Sequence, residues 1–479
     1  MTKKLFSRQQ AEKRRQQVRD KQRKLLNRDI EPQGNSTCDI VRMNHDGRGV
    51  ALRKGKTRFV DGALTGEQVK VKMLAQHANF DELKMTEVLK ASDDRVEPKC
   101  EYTAECGGCS LQHLKHAKQL EHKERVLREQ LAHFAKASPK KWLEAMQSEA
   151  YGYRSKARLS TYYDAATNKI SIGFRAKGGK QIVDIKRCAV LDVRVGDKID
   201  ALHSLVLSMS VPHALTHFEI AAGDDHIALL IRHVEPLSEE DKSKLVGFVR
   251  THQFDLYLQP GGAETVHKVW PENSEPRLSY RLPYALDKEQ NTQGQDPTAL
   301  CLSFHPKDFT QVNLGMNRKM VLKVLEYLDV QKEERVLDLF SGLGNFTLPV
   351  AVYAKEVVGV EGSEKMVQRG MDNASQNSLS NVSFYTADLF SDISGLPWAR
   401  QQFDKILIDP PRAGALEIVN FLSCFGAKRI VYISCNPATL ARDTAVLIAK
   451  GYILSKAGVL DMFPHTSHVE SIAVFDRKA

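Results

Sequence analysis

Three short stretches in the C-terminal part of the chain set reactive side chains beside chain-breaking turns. In Ile408-Asp409-Pro410-Pro411-Arg412 a carboxylate precedes a double proline. Proline cannot continue a sheet ladder, so the chain must turn outward there. Ser434-Cys435-Asn436-Pro437 sets a thiol before a second such turn, and His468-Val469-Glu470 adds a carboxylate that can take a proton. A thiolate can add to an electron-poor carbon, and a base can later remove a proton so that the sulfur leaves. The acidic double-proline turn by itself does not distinguish a nitrogen from a carbon target, but the thiol and base together suit methylation of a pyrimidine carbon. Uracil C5 is a poor nucleophile, but a thiolate on C6 makes an enolate whose C5 can attack a sulfonium methyl. Cys435 is then the nucleophile and Glu470 the base. A lone cysteine at a strand end is more often a small buried hydrophobe. The Asn436-Pro437 that follows and the acidic double-proline turn alongside reverse that preference.

A second group of residues describes a cofactor pocket. Asp338-Leu339-Phe340-Ser341-Gly342-Leu343-Gly344-Asn345 is a two-glycine turn between a strand pattern and a helix pattern. It lacks the third glycine of the dinucleotide fingerprint. Glu361 ends the next strand about 20 residues on, where a carboxylate accepts hydrogen bonds from ribose hydroxyls. Asp388 ends the third strand, where an adenine amino group can be met. Three such strand ends make a nucleoside pocket without a pyrophosphate cradle, which fits S-adenosyl-L-methionine better than NAD. The alternative is a merely structural αβ turn.

Cysteines supply a third group. Cys100-x5-Cys106-x2-Cys109, with Gly107 and Gly108 between, offers three thiols on one loop, and Cys188 offers a fourth. Four thiolates suit a structural zinc or a [4Fe–4S] cluster, and the spacing does not choose between them. Cys38, Cys301 and Cys424 stand alone and read as packing residues. Eight cysteines in 479 residues, without an export signal, do not make a disulfide framework.

The elements that must position these groups follow from pattern and length. A chain of 479 residues suggests about three domains. Residues 1–33 form a basic tail: positions 1–28 hold eleven Lys and Arg against two acids, Glu12 and Asp20, nearly all of the chain's net +10. Such an arm can touch nucleic acid or simply remain a solvated tail. Residues 34–93 alternate short apolar runs with glycine turns, as a small β-barrel does. Residues 94–305 read as a mixed α+β domain opening with a helix near 112–134. Residues 306–479 alternate strands with helices, with strands predicted at 335–340, 357–361, 382–385, 405–409, 430–434 and 471–475. That rhythm is a parallel, doubly wound sheet, whose ligands sit beyond the strand C-termini. No run of about 18 apolar residues occurs, so no membrane span is expected. The charged N-terminus does not lead into an apolar signal segment, which points to the cytoplasm.

Together these residues resemble the RNA uracil-C5 methyltransferase family, over nearly the whole chain from about residue 35. The likeness is nearest to the family's 23S rRNA branch, since the family's tRNA member is expected to lack both barrel and cluster. The resemblance implies an N-terminal TRAM (OB-like) β-barrel, a central iron–sulfur domain and a C-terminal class I SAM-dependent methyltransferase domain. Gly47-x-Gly49-Val50-Ala51 through Phe59-Val60-x-Gly62-Ala63-Leu64-x-Gly66-Glu67 looks like TRAM. It implies a [4Fe–4S] cluster on Cys100, Cys106, Cys109 and Cys188 rather than zinc. Asp308-Phe309-Thr310-Gln311-Val312-Asn313 is similar to the family's cofactor-approach segment. The implied cofactor contacts are Gln311, Phe340, Asn345, Glu361, Asp388 and Asp409, with Cys435 as nucleophile and Glu470 as base. The implied partner is 23S rRNA, with Lys156, Arg158, Arg175, Lys177, Lys180, Lys186 and Arg187 as candidates to meet phosphates. Two rivals stand beside this: action on another rRNA uracil or on tRNA, and a non-catalytic RNA-binding assembly factor with a redox cluster.

Overall fold

The computed structural model describes residues 36–285 and 299–478. The basic tail expected at 1–33 lies outside them. The described chain forms two compact units, one of residues up to 97 together with 113–115, the other of the remainder. Among the described residues no helix is long and apolar enough to cross a membrane.

The first unit is one six-stranded sheet. Its strands are β1 (Ser36–Asp39), β2 (Arg42–Met43), β3 (Gly49–Arg53), β4 (Lys56–Asp61), β5 (Gln68–Gln76) and β6 (Phe80–Lys90). They lie in the order β1-β5-β6-β4-β3-β2, and only β4 with β6 is parallel. Alternate residues such as Val60, Val69, Val71 and Leu83 point inward onto Ile40 and Ala63. This is the period-2 burial that the sequence pattern predicts.

The second unit begins with the cysteine loop and helix α1 (His116–Gln130), followed by the short strand β7 (Lys141–Trp142). A seven-stranded sheet comes next, with β8 (Lys156–Asp164), β9 (Lys169–Arg175), β10 (Ile182–Asp184), β11 (Leu215–Ala222), β12 (Ile227–His233), β13 (Asp255–Gln259) and β14 (His267–Trp270). The hairpin of β15 (Leu278–Leu282) and β16 (Leu300–Phe304) leads into helix α2 (Leu314–Leu328).

The C-terminal sheet contains β17 (Arg335–Leu339), β18 (Glu356–Glu361), β19 (Val382–Thr386), β20 (Lys405–Ile408), β21 (Arg429–Ser434), β22 (Tyr452–Leu460) and β23 (Glu470–Arg477). With β7 it runs in the order β19-β18-β17-β20-β21-β23-β22-β7. Its central strands are mostly apolar because both faces are covered. Val336, Leu407, Val431 and Ile433 face a core shared with α2. Leu337, Ile406, Ile408 and Tyr432 face the opposite core, with Val126 and Leu127 of α1. Helix α3 (Glu364–Gln376) follows β18, and α4 (Pro437–Ala449) follows β21.

Two features differ from the sequence pattern. Helix α1 and β7, drawn from residues ahead of 306, pack on this C-terminal sheet. An amphipathic stripe tells that a helix buries one face, but not against what. The sheet is also not parallel throughout. Strands β17 to β21 are parallel, but β23 runs antiparallel between β21 and β22, a strand the sequence pattern did not reveal. An apolar run reads the same in either direction, so strand direction could not be read from it.

The approach of α3 to the sheet depends on small residues. A Cβ on Gly370 would come within 2.7 and 2.8 Å of ring atoms of Phe384. Gly370→Ala should therefore destabilise the protein by about 1–3 kcal/mol through overpacking. Gly247, in the helix Glu239–His252, has nothing within 4 Å of such a Cβ. Gly247→Ala should instead stabilise by up to about 1 kcal/mol, because alanine is the better helix former. Urea unfolding midpoints of the two variants should move in opposite directions.

Candidate functional site

The parallel strands β17, β18, β20 and β21 all end at one edge of the C-terminal sheet, and β23 begins there because it runs the other way. Ser434 of β21 pairs with Ser471 of β23. One residue beyond that pair, Cys435 and Glu470 stand at the same level. Burial, then the negative charges of Glu470 and Asp409, push the Cys435 thiol up to about 11, while Arg412 pulls it down. Burial and Asp409 also hold the Glu470 carboxyl well above the usual carboxylate range, again with Arg412 opposing. Glu470 is buried, Cys435 and Asp409 are half-buried, and Arg412 reaches the group from the exposed side.

The two proline turns are tied together. Asn436 caps α4 by accepting from Ala438 N at 3.1 Å, and its amide donates to Arg412 O at 3.1 Å. An asparagine at N-cap followed by proline at N1 is a strong helix start. Below the turns, buried Asp443 accepts from Tyr432 Oη at 2.7 Å and from Ala415 N at 2.8 Å. The arrangement fixes the backbone on both sides of Cys435. Arg412 Nη2 also lies 3.4 Å from His468 Nδ1.

Asp409 is half-buried at the end of β20, and Gln311 Nε2 donates to its Oδ2 at 3.3 Å. Burial pushes its carboxyl up to about 7 despite that bond. The segment carrying Gln311 is braced by its neighbours. Arg369 Nε donates to Asp308 Oδ2 at 2.9 Å, and Ser155 Oγ donates to Val312 O at 3.0 Å. Phe309 projects from this braced segment with its ring exposed.

The two-glycine turn after β17 is tied to the end of β18. Glu361 Oε2 accepts from Gly342 N at 3.1 Å, and its Oε1 accepts from Ser363 N at 2.9 Å. Each carboxylate oxygen keeps a lone pair. Gly342 and Gly344 have φ of 55° and 96°, left-handed values that favour glycine. Phe340 also has a positive φ, 64°, and its ring centroid lies 5.7 Å from that of exposed Phe390. Asp388 lies in the same region, two residues past β19, but is exposed and accepts from Phe390 N and Ser391 Oγ at 3.0 and 2.6 Å. Asn345 is turned toward the protein: Tyr280 Oη and Asn317 Nδ2 donate to its Oδ1, at 3.0 and 2.8 Å, and it donates to Asn317 Oδ1 at 2.9 Å. Most of its hydrogen-bonding capacity is thereby used within the chain.

Sequence reasoning missed Asp338, Arg412, Asn436 and Phe390 as site residues, although the first three lie inside the motifs. Asp338 is buried at the end of β17 with Thr347 Oγ1 donating at 2.5 Å. Burial pushes its carboxyl up to about 7. A buried acid followed by a glycine turn was the available signal.

The four cysteines meet around one cavity of about 80 Å³, lined by Cys100, Cys106, Cys109 and Cys188. Gly107 N donates to Arg175 O at 2.9 Å, and a Cβ on Gly107 would come 2.8 Å from that oxygen. Gly108 N donates to Cys106 Sγ at 3.4 Å, and the backbone of Val190 and Leu191 donates to Cys188. Burial pushes Cys109 up to about 12 and raises Cys106 and Cys188 as well. Such buried thiols ionise only if a cation joins them, and the N–H donors favour sulfur that carries charge. The donor type is one that a metal group could bind as thiolates. Among the described residues, no three His, Cys, Asp or Glu side chains are arranged to hold one metal ion.

The candidate phosphate contacts are less uniform than their charges implied. Lys156 turns inward, toward the carbonyl of Asp308, and burial lowers its ammonium to about 8. Its position in β8 hid this, because the carbonyl comes from a distant segment. Arg158, Lys186 and Arg187 are paired with Glu219, Asp200 and Glu101. Arg175 and Lys180 are exposed.

Comparison with known proteins gives a consistent picture. The family model described as tRNA (Uracil-5-)-methyltransferase matches residues 295–478. A protein named 23S rRNA (uracil(1939)-C(5))-methyltransferase RlmD, from Alcanivorax borkumensis, is 50% identical over 93% of this chain and 97% of its own length. The protein of the same name from Hahella chejuensis is 46% identical over 93% of this chain and 98% of its own. Among solved structures, the Pyrococcus abyssi tRNA (uracil-54, C5)-methyltransferase, in complex with S-adenosyl-L-homocysteine, superposes with a TM-score of 0.68. It covers 92% of this chain and all of its own at 23% identity, a likeness of fold.

The electrostatics of the thiol can be checked directly. Alkylation of Cys435 by iodoacetamide, followed by peptide mass spectrometry against pH, should show a midpoint near 11. In that range Glu470 is ionised and repels the thiolate. Glu470→Gln removes the repulsion, so its midpoint should fall. Arg412→Gln removes an attraction, so its midpoint should rise.

Proposed function

The chain belongs to the RNA uracil-C5 methyltransferase family, and from that premise we propose that it transfers a methyl group from S-adenosyl-L-methionine to C5 of a uracil in 23S rRNA. The observation that carries this reading is the level pairing of Cys435 with Glu470, beside Asp409 and Gln311. The thiol must first lose its proton to solvent water, a step that Arg412 favours by its charge. The thiolate bonds to C6, and the C5–C6 pair moves toward O4 to give an enolate. C5 then takes the sulfonium methyl, whose former bonding pair stays on sulfur as a neutral thioether. Glu470 takes the C5 proton. The freed pair restores the C5–C6 double bond and the C6–sulfur pair returns to Cys435.

The cofactor reading rests on the remaining strand ends. Glu361 retains lone pairs for ribose hydroxyls, and Phe340 with Phe390 offers an apolar margin for the adenine. Asp338 and Asp409 bring negative charge near the sulfonium. Gln311 and Asp409 lie where a uracil edge or the cofactor would be held, and Asn345 supports the pocket through Asn317. Exposed Phe309 supplies a stacking face for a splayed base. Uracil within structured RNA must be turned out of its stack to reach this edge.

The choice of 23S rRNA is supported by the names of relatives that match nearly their whole lengths. In this reading residues 34–93 are a TRAM barrel that carries RNA, residues 94–305 a central domain, and residues 306–479 the methyltransferase, acting in the cytoplasm. Cys100, Cys106, Cys109 and Cys188 hold a [4Fe–4S] cluster, supported by their common cavity and the N–H donors on Cys106 and Cys188. Such a cluster would hold the loop and the strand ends of the central domain together. Anaerobically purified protein should carry about four irons per chain; stoichiometric zinc without iron would contradict this.

The chemistry is tested with a 23S rRNA fragment containing 5-fluorouridine. Fluorine removes the proton that the base must take, so the covalent complex cannot resolve after methyl transfer. Denaturing gels should show an enzyme–RNA adduct that depends on S-adenosyl-L-methionine, and Cys435→Ala should show none. Undiminished adduct in Cys435→Ala would falsify the nucleophile assignment. Mapping of 5-methyluridine in 23S rRNA, with and without the gene, tests the choice of RNA.

A further inference from the structure

Glu470 opens β23, and the segment 461–469 links it to the end of β22. A connection of this kind normally runs over the surface, because a buried loop strands its backbone polar groups. Here Asp461, Met462, Pro464, His465 and Thr466 are all buried. Their polar groups must find partners inside the protein, and a large share comes from the segment that follows Cys109.

His465 is the centre of this contact. Its carbonyl accepts from both Ser110 N and Leu111 N at 2.9 Å. Its own N–H donates to Gln119 Oε1 at 2.9 Å, and Gln119 Nε2 donates to Leu111 O at 3.0 Å and lies 3.2 Å from His465 Nδ1. Ser467 N donates to Ser110 Oγ at 3.0 Å. Farther along α1, buried Lys123 donates to Phe463 O at 2.9 Å and pairs with Asp461 at 2.6 Å. His465 has a φ of 64°, a left-handed conformation that a histidine keeps only when its surroundings dictate it. Gln119 is fully buried and bridges both segments, so its amide is matched on both sides.

We propose that Ser110, Leu111 and Gln119 form a seat for the turn at His465, and that this seat sets the position of the Glu470 carboxylate. Gln119 is then a positioning residue for removal of the C5 proton. The inference rests on the reading of Glu470 as the base. It assigns the cysteine loop a role in the last chemical step, since Ser110 directly follows Cys109. Methyl transfer to C5 depends on Cys435 and the cofactor, which other strand ends hold. A displaced seat should therefore slow release of the adduct more than its formation.

The test uses the full chain with unmodified 23S rRNA fragment and labelled S-adenosyl-L-methionine. Gln119→Met keeps the length of the side chain and removes its donor and its acceptor. It should bind S-adenosyl-L-methionine as tightly as the parent, give a burst of about one methyl per enzyme, then turn over about tenfold or more slowly, as expected for lost buried hydrogen bonds. Denaturing gels should show accumulated adduct, as they should for Glu470→Gln. Gln119→Glu restores the acceptor for His465 N and should recover part of the turnover. Ser110→Ala, a small change that should not prevent folding, should slow turnover about twofold to fivefold with the same signature. A merely structural role would lower burst and turnover together, and that result overturns the proposal. If Gln119→Met does not fold, Ser110→Ala decides alone. Adduct in Glu470→Gln but normal turnover in both seat variants would reject the seat and leave the base assignment standing. Absence of adduct in Glu470→Gln would reject the base assignment, and the seat's catalytic meaning with it.

Discussion

The register of β23 against β21, with Ser471 opposite Ser434, is the constraint on which the site depends. Parallel strands deliver side chains to the edge where they end. An antiparallel neighbour delivers to that same edge the side chain with which it begins. The sheet thus brings Cys435 and Glu470 together although 34 positions separate them in sequence. A slip of one residue would turn Glu470 to the other face of the sheet. The slip is opposed by the alternation of Ile472 and Val474 onto one core and Ala473 and Phe475 onto the other.

Placing a thiol among acids has an electrostatic consequence. Burial raises Cys435, Asp409 and Glu470 together; Asp409 also raises Glu470, and both acids raise Cys435. Arg412 is the opposing charge in this group. A cationic cofactor would favour ionisation of the same acids, so its binding and the readiness of the site are linked by charge.

The site was legible in the sequence wherever a reactive residue ended an apolar strand and met a chain breaker. Asp409 before Pro410, Cys435 before Asn436-Pro437, and Glu361 after the glycine turn are of this kind, and all lie at one edge. Glu470 was legible by type, but its closeness to Cys435 was not, because direction cannot be read from an apolar run. Strand β22 was hidden by Lys456 and Gly458 within it. The helix 116–130 was legible as amphipathic, yet its docking on the C-terminal sheet is a tertiary fact. Lys156 read as a surface cation and is half-buried and turned inward, since the carbonyl that receives it belongs to Asp308. Asn345 resembled a cofactor contact, and its amide is largely engaged by Asn317 and Tyr280, two residues the local motif does not contain.

The central claim is that one side chain forms the bond to uracil and a different one releases it. The most direct measurement uses RNA with tritium at uracil C5 and carbon-labelled S-adenosyl-L-methionine, and compares methyl transferred with tritium released to water. The parent enzyme should give equal amounts. Glu470→Gln should transfer about one methyl per enzyme while tritium stays on the bound RNA, because methylation precedes proton removal. If methyl transfer and tritium release fall together in Glu470→Gln, the division of labour between Cys435 and Glu470 is wrong.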